Sequence, residues 1–345
     1  MNKNLKKALL SSQSPYFSEL PYNLNWMPTK KGGIHEILDT SGPIALVDVG
    51  CRGGIPEELS PIQKSIYSIG FDADKAECER LNQQSHPYHK RKIFPLFVSG
   101  GEESVKFHLF HARGSSSSLY PDARFQTLFG GSVFQIEKSI PMKAMSMDQF
   151  FAQNPDLPTP DFIKLDTQGT ELQILKGSVA ALQTCSMVEV EVEFIKMYEG
   201  QSLFSDVMNF MLEQGFDLFY LNRVFSQRRG FAAFAKGQMT FGDALFVRRE
   251  DRIQHYSSEK LLKFILLLIN YGYLDMANAL SADSRLSADR RKEISKILQK
   301  MSGRWTCRRV QKKINPFIDK LILFLLWLRK TNGLTLDSDR SWPAR

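Results

Sequence analysis

The stretch from Ile44 to Gly54 constrains the fold more than any other part of the chain. Its apolar run reaches Asp48 and Val49, and a turn containing three glycines follows. A continuous apolar run of this length, bounded by Pro43 and by glycines, is typical of a parallel strand buried on both faces. Open parallel sheets bind ligands at the carboxyl ends of their strands, so this turn is the predicted binding position.

The spacing of these glycines indicates what the turn binds. They follow the pattern G-x-x-G-G at Gly50, Gly53 and Gly54, whereas dinucleotide sites follow G-x-G-x-x-G. The carboxylate at the strand end would repel a pyrophosphate and suits a cationic or hydroxyl-rich ligand. A second predicted strand, 65–71, ends at Asp72, an acid placed to accept both ribose hydroxyls. Two interpretations remain open: a pocket for S-adenosylmethionine, or a capping acid and a turn in an unrelated α/β protein.

Strands and helices alternate along the chain from residue 44. The predicted strands are 44–49, 65–71, 92–98, 161–166, 187–194, 216–221 and 242–248. This alternation predicts a doubly wound, seven-stranded α/β sheet. No long helix separates the last two strands, so we expect the last strand to be antiparallel in an otherwise parallel sheet. That arrangement suits a class I methyltransferase better than a dinucleotide fold.

Composition divides the chain into four segments. Residues 1–43 form a lead-in broken by prolines, 44–250 the sheet domain, 251–303 a helical appendage, and 304–345 a basic and apolar tail. Residues 104–145 interrupt the sheet domain with two further strands, a predicted hairpin insertion. Four consecutive serines in this insertion form either a flexible tip or a loop over the cleft that offers hydroxyls to an acceptor.

The net charge of +8 is concentrated near the C-terminus. Residues 289–330 hold 13 Lys or Arg against 3 Asp or Glu, so the remainder is nearly neutral and is not expected to bind nucleic acid. The apolar run 321–328 is too short to span a bilayer. The segment 304–330 is interpreted either as a membrane-surface contact or as a homodimer contact. Four separated cysteines predict a cytoplasmic setting, with attachment at the inner membrane face as a variant of it.

Acids at the ends of later strands are candidates for the chemistry. Asp166 ends the fourth predicted strand and is the first candidate, followed by Glu191 and Glu193 on the fifth. The glutamate face of the fifth strand is expected to be an exposed edge or to point into a polar cleft, because buried carboxylates are costly. No metal is expected, since no further carboxylate or amide at ligand spacing accompanies Asp166.

The insertion contributes two histidines, His108 and His111, as further candidates for a general base. For each of them, an exposed position on a strand is the simpler interpretation. His111 is retained as a candidate beside the three acids.

An ordered series of motifs runs through the sheet domain. Its members are Val47–Gly50, Ile69–Asp74, Ser117–Leu119, Asp161–Gly177, Glu191, Tyr198–Gln201, Phe204, Gly215–Phe216 and Gly242–Phe246. This series resembles the FkbM-type S-adenosylmethionine-dependent methyltransferases. The resemblance implies S-adenosylmethionine as donor and O-methylation of a hydroxyl on a sugar, glycolipid or small natural product. Two departures are the G-x-x-G-G turn with Arg52 at an often small position, and Asp72 where glutamate is usual.

Both the pocket and the resemblance lead to one set of expected cofactor contacts. These are Asp48, Gly50, Cys51, Arg52, Gly53, Gly54, Asp72, Ala73, Ser99 and Asp166. The expected partner is a small-molecule or glycan acceptor. The alternative is a non-catalytic binding or scaffolding protein that carries a methyltransferase-like sheet and acts through its basic tail.

Overall fold

The computed structural model describes residues 37–38, 41–53, 57–130, 132–230 and 237–302. These fall into two compact units, one within His35–Val224 and Met239–Phe264, the other including Phe225–Gln238 and the chain from Ile265 onward. The predictions made for most of the lead-in and for the tail 304–345 lie outside the described residues.

Eleven strands and nine α-helices are formed by the described residues. The strands are β1 (Ile44–Val49), β2 (Ile66–Asp72), β3 (Lys90–Pro95), β4 (Phe97–Ser99), β5 (Ser104–Phe110), β6 (Ile136–Ser146), β7 (Phe162–Leu165), β8 (Met187–Glu193), β9 (Phe216–Leu221), β10 (Val224–Ser226) and β11 (Gln238–Arg248). The helices are α1 (Lys75–Gln83), α2 (Ala123–Leu128), α3 (Met147–Gln153), α4 (Glu171–Lys176), α5 (Val179–Thr184), α6 (Phe204–Glu213), α7 (Ser258–Tyr271), α8 (Leu274–Ser281) and α9 (Ala288–Ser302).

The main sheet lies in the first unit and has the strand order β3-β2-β1-β7-β8-β11-β9. Strand β11 is antiparallel to both of its neighbours, while the other pairs are parallel. Val224 of β10 continues along the same edge of β11, where its carbonyl accepts a bond from Thr240 Oγ1 at 3.2 Å. The predicted class I methyltransferase sheet, with its last strand antiparallel, is therefore confirmed.

The direction of strand succession reverses at β1, which lies between β2 and β7. All six residues of β1 are buried, as the apolar run predicts. In register, Asp48 lies beside Gly70 of β2 and Lys164 of β7. Since a ligand crevice forms at such a reversal, outside the carboxyl ends of the strands, the tips of these three strands define the candidate site.

The glutamate face of β8 is not an exposed edge, and that expectation is wrong. Strand β8 pairs with β7 on one side and β11 on the other. Glu189 and Glu193 are buried, and Glu191 is partly buried. At least one of these glutamates has a polar partner, because Glu191 Oε2 accepts from Gln168 Nε2 at 2.8 Å.

The insertion forms a second sheet with the order β4-β6-β5. The predicted third strand, 92–98, is divided into β3 and β4 at Leu96, whose N–H donates to Phe94 O at 2.9 Å. The exposed position considered for His108 is wrong. That side chain is 1 % exposed, and its Nδ1 lies 2.7 Å from Ser139 Oγ.

In the second unit, helices α8 and α9 pack against each other, and the division between the units falls within α7, after Phe264. The chain between 251 and 303, predicted to be helical, contains α7, α8 and α9. Among the helices in the described part of the chain, none combines the length and apolar character that a membrane span requires.

Candidate active site

The turn after β1 is packed against the end of β7. Gly50 has φ +83° and donates its N–H to Phe71 O at 2.9 Å. A β-carbon at Gly50 would lie 2.0 Å from the carbonyl oxygen of Asp166. Only glycine fits such a position, because both the left-handed backbone and the close approach exclude a side chain.

The neighbouring residues of this turn differ in their roles. Cys51 is buried, and burial raises the pKa of its thiol, so it packs as a small apolar residue without being reactive. Gly53 ends the short 3₁₀ turn that begins at Cys51, whereas Gly54 lies outside the described residues.

Asp48 is a buried acid whose charge is only partly compensated. It is 3 % exposed, and its Oδ1 has no hydrogen-bond partner in the described structure. The nearest cation is Lys164, with Nζ 3.9 Å from that oxygen. Burial raises the pKa of Asp48 to about 6; Lys164 opposes the shift, and the carboxylates of Asp166 and Asp72 add to it.

Asp72 at the tip of β2 is held by the residues around it. The N–H of Asp74 donates to Asp72 Oδ1 at 2.7 Å, and Arg52 Nε lies 3.8 Å from Asp72 Oδ2. Arg52 also donates to Asp74 Oδ2 at 2.8 Å, and Asp74 caps α1. Arg52 thus connects the glycine turn to Asp72 and to the cap of α1. Ala73 lies between these two acids in the chain.

These residues fit a cationic nucleoside cofactor. An orphaned, buried carboxylate oxygen at Asp48 suits an ammonium donor, and a turn that admits no β-carbon allows a ligand to approach the backbone. Asp72 offers a carboxylate that fits ribose hydroxyls, and it lies on the neighbouring strand two residues beyond Gly70, the register partner of Asp48. The two strand-tip acids therefore lie in one neighbourhood.

Ser99 and His111 are occupied elsewhere. Ser99 Oγ donates to Glu102 O at 2.9 Å and accepts from Gly101 N–H at 3.2 Å, within a turn after β4. The imidazole of His111 is exposed and lies 3.0 Å from Glu137 Oε1. Neither side chain is bonded to the strand-tip acids, so their assigned roles remain predictions without a contact to support them.

A cluster of carboxylates lies beyond β7. Oxygens of Glu171, Glu191 and Glu193 all lie within 4.8 Å of one another. Glu171 is already engaged, because it accepts from Thr167 N–H at 2.7 Å and from Gly169 N–H at 3.0 Å. Such spacing suits a cation or a shared proton, and Glu171 additionally closes the loop that precedes α4.

The cluster strongly favours protonated carboxyl groups. Burial, then the charges of Asp166 and Glu193, raises the pKa of Glu191 well above its usual range. Burial, then the charge of Glu171, raises the pKa of Glu193 in the same way. Groups in this environment take up a proton near neutral pH far more readily than exposed glutamates do.

Sequence reasoning missed Lys164 and Gln168. Lys164 Nζ lies 3.6 Å from Asp166 Oδ2 as well as near Asp48, and these carboxylates raise its pKa despite its burial. A lysine within the buried strand Phe162–Leu165 was the available signal.

Gln168 donates through Nε2 to Asp166 Oδ1 at 2.9 Å and to Glu191 Oε2 at 2.8 Å. No periodicity marks a loop residue of this kind.

The strand order, the reversal at β1 and the acids at the strand tips define a class I S-adenosylmethionine-dependent methyltransferase. Residues 60–218 match the model of the methyltransferase FkbM domain, so the chain carries a domain of that family and is an enzyme that uses S-adenosylmethionine. This favours catalysis over the non-catalytic alternative.

Two curated relatives are similar to this chain. The 2-O-methyltransferase NoeI of Sinorhizobium fredii is 22 % identical over 217 residues, which cover 58 % of this chain and 85 % of the relative. The hexuronic acid methyltransferase AglP of Haloferax volcanii is 38 % identical over 56 residues, or 16 % of this chain and 23 % of that protein.

Solved structures with similarity include methyltransferase FkbM from Methylobacillus flagellatus, 13 % identical, covering 60 % of this chain and 44 % of that chain with a TM-score of 0.32. Magnesium protoporphyrin IX methyltransferase from Synechocystis with bound S-adenosylmethionine is 10 % identical, covering 72 % and 99 % with a TM-score of 0.33.

Proposed function

We propose that this enzyme transfers a methyl group to a hydroxyl of a carbohydrate acceptor. One observation carries the proposal. The side-chain amide of Gln168 donates to both Asp166 and the partly buried Glu191, at the point where β7 meets the glycine turn. The names of the two relatives, a 2-O-methyltransferase and a hexuronic acid methyltransferase, support a sugar-type acceptor.

Asp48, the turn at Gly50, and Asp72 would hold the cofactor, which supplies an electrophilic methyl group when bound. Asp166 lies against this turn, because its N–H donates to Val49 O at 3.1 Å and its carbonyl oxygen packs on Gly50. Its side chain is 40 % exposed, so an acceptor can reach it from solvent. These contacts support Asp166 as the residue that orients the acceptor hydroxyl.

Glu191 is proposed as the general base. One proton leaves the hydroxyl for each methyl group transferred, and a carboxylate oxygen of Glu191 accepts it. A base works best when its pKa is near the operating pH. The raised pKa of Glu191 makes it a stronger base than an exposed carboxylate. Glu193 is more buried and lies two residues further on, at the end of β8.

Transfer of a radiolabelled methyl group from S-adenosylmethionine tests the proposal. The probes are methyl glycosides of neutral hexoses and of hexuronic acids, together with a glycan extract of the source cells. We expect label in an alkali-stable ether on one of these sugars. Label on nitrogen or on a protein side chain, or no label on any sugar, would overturn the proposed acceptor class.

The base is tested by Glu191→Gln. Loss of a general base lowers the rate about 10²–10⁴-fold. We expect that loss while the affinity for S-adenosylmethionine, measured by calorimetry, stays within about threefold, a change below 1 kcal/mol. Glu199→Gln is the matched control, because Glu199 is exposed in the segment that follows β8. Equal activity of the two variants would exclude Glu191.

A further inference from the structure

Gln168 adopts a backbone conformation that glutamine normally avoids. Its φ is +59°, and among the residues that the structure describes it is the one non-glycine with positive φ. Such a conformation disfavours a residue with a β-carbon, whereas glycine adopts it freely and asparagine more easily. A glutamine at this position therefore indicates that its side chain has a use.

The side-chain amide of Gln168 lies between two acids. Its Nε2 donates to Asp166 Oδ1 at 2.9 Å and to Glu191 Oε2 at 2.8 Å. Both acceptors are carboxylate oxygens, so the amide must present its nitrogen to them, and both of its hydrogens are used. The amide orientation is thus fixed by chemistry.

The opposite end of the same amide is held by Tyr198. Tyr198 Oη lies 3.0 Å from Gln168 Oε1 and 3.0 Å from Ser115 O, and its single O–H hydrogen is shared between these two acceptors. Tyr198 is fully buried, and burial raises the pKa of its phenol, which keeps it protonated. Ser117 Oγ donates to the backbone carbonyl of Gln168 at 2.8 Å. The insertion therefore makes hydrogen bonds to both Gln168 and Tyr198.

We propose that Gln168, oriented by Tyr198, is a positioning residue that holds the carboxyl groups of Asp166 and Glu191 side by side for the acceptor. The inference rests on the proposed function, because it assigns a purpose to the pair that the methyl transfer uses. Two neighbouring carboxylates repel each other, and an N–H donor placed between them favours the ionised form of Glu191, which is the form that takes a proton from a hydroxyl.

The electrostatics around Glu191 make this donor necessary. The carboxylates of Asp166, Glu193, Glu171 and Asp243 all act to raise its pKa, in addition to burial. Lys164 Nζ lies 3.6 Å from Asp166 Oδ2 and 3.9 Å from Asp48 Oδ1. Hydrogen bonds to a charged form favour that form, so the amide of Gln168 opposes these effects.

A pH-dependent stability cycle on the full chain, without acceptor, tests the proposal. An acid whose folded pKa lies above its unfolded pKa costs stability as pH rises between the two values. Gln168→Gly removes the donor and raises the folded pKa of Glu191 further. As long as the folded pKa stays below 8, each unit by which it rises adds about a tenfold loss in the folding equilibrium constant between pH 5 and pH 8, compared with wild type.

The double variant Gln168→Gly with Glu191→Gln assigns the effect, because we expect the extra loss to fall by at least half. Tyr198→Phe should shift the pH dependence in the same direction, whereas Tyr120→Phe, at an exposed tyrosine of the insertion, should not. An unchanged pH dependence in Gln168→Gly, or an undiminished one in the double variant, would overturn the proposal.

Folding of the variants has its own safeguards. Glycine suits the left-handed backbone, so Gln168→Gly should be at least as stable as wild type at pH 5. Gln168→Asn also tolerates this backbone, but its amide is one methylene too short to bridge both acids, and we expect the same pH effect. If neither variant folds, Gln168 serves folding alone and the proposal fails. The cycle needs no acceptor, so a wrong acceptor class leaves its outcome unaffected.

Discussion

A β-carbon placed on Gly50 would lie 2.0 Å from the carbonyl oxygen of Asp166. The turn after β1 and the end of β7 are therefore in direct backbone contact. This contact connects the predicted cofactor turn to the predicted reacting centre, two sites that are 116 residues apart in the chain.

Gly50→Ala should displace both segments. The left-handed backbone alone costs an alanine about 1–2 kcal/mol, and here the carbonyl of Asp166 must also move. We expect the free energy of unfolding to fall by at least about 2 kcal/mol more than the backbone strain alone would cause, a size seen for overpacking. We also expect no measurable binding of S-adenosylmethionine. Gly42→Ala is the control, because Gly42 has φ +73° and nothing within 4 Å of its β-carbon position. Equal losses in the two variants, by urea unfolding, would contradict the contact.

Asp72→Ala should weaken the cofactor complex without unfolding the protein. A hydrogen bond to a charged group contributes about 1.5–3 kcal/mol, which corresponds to roughly a tenfold to hundredfold loss of affinity. Calorimetry with S-adenosylmethionine measures this loss. Glu79→Ala removes an exposed acid from α1 and should bind like wild type, since its side chain is 61 % exposed. Wild-type affinity in Asp72→Ala would remove the residue from the site.

The sequence predicted the main sheet well because buried parallel strands have a strong local signal. Strand β1 falls on residues 44–49 as predicted, and the acids at its tip and at the tip of β2 share one neighbourhood. The ends of strands are harder to predict, which explains one weak candidate. His108 is buried within β5, whereas His111 lies just beyond the end of that strand and is exposed.

Contacts made by loops could not be predicted in this way. The role of Gln168 depends on a left-handed backbone and on partners 23 and 30 residues further along the chain. The burial of the β8 glutamates depends on β11 pairing beside that strand. Both features follow from tertiary packing, which the periodicity of hydrophobic residues does not report.

Arg248 is expected to be a stability residue of the sheet domain. It is 2 % exposed and donates to the backbone carbonyls of Gln214 at 2.7 Å, Cys185 at 3.2 Å and Leu182. Arg248→Met removes three charge-assisted hydrogen bonds to these carbonyls, each contributing about 1.5–3 kcal/mol, although Cys185 O keeps Tyr256 Oη as a donor and Leu182 O keeps the N–H of Cys185. We expect thermal unfolding to show a loss of about 3 kcal/mol or more.

Arg249→Met provides the comparison for that loss. Arg249 is partly exposed and bonds Asp251 at 3.1 Å on the surface. Its removal should change stability by no more than about 0.5 kcal/mol. A similar cost for the two arginines would show that the buried carbonyls find other donors.

Binding of the cofactor should depend on pH through Asp48. Burial raises the pKa of this acid to about 6, so without ligand it is protonated below that pH and ionised above it. A cationic ligand binds the ionised form, and the affinity for S-adenosylmethionine should therefore rise as pH increases through about 6. Below that value the loss approaches tenfold per pH unit, the limit for one proton. Calorimetry between pH 5 and pH 7 measures this change in affinity.

The control is Asp48→Asn, whose side chain cannot ionise. This variant should bind S-adenosylmethionine more weakly at neutral pH, and its affinity should depend less on pH. The same slope in this variant as in wild type would assign the pH dependence to another group, with Asp72, whose pKa burial also raises, as the next to replace.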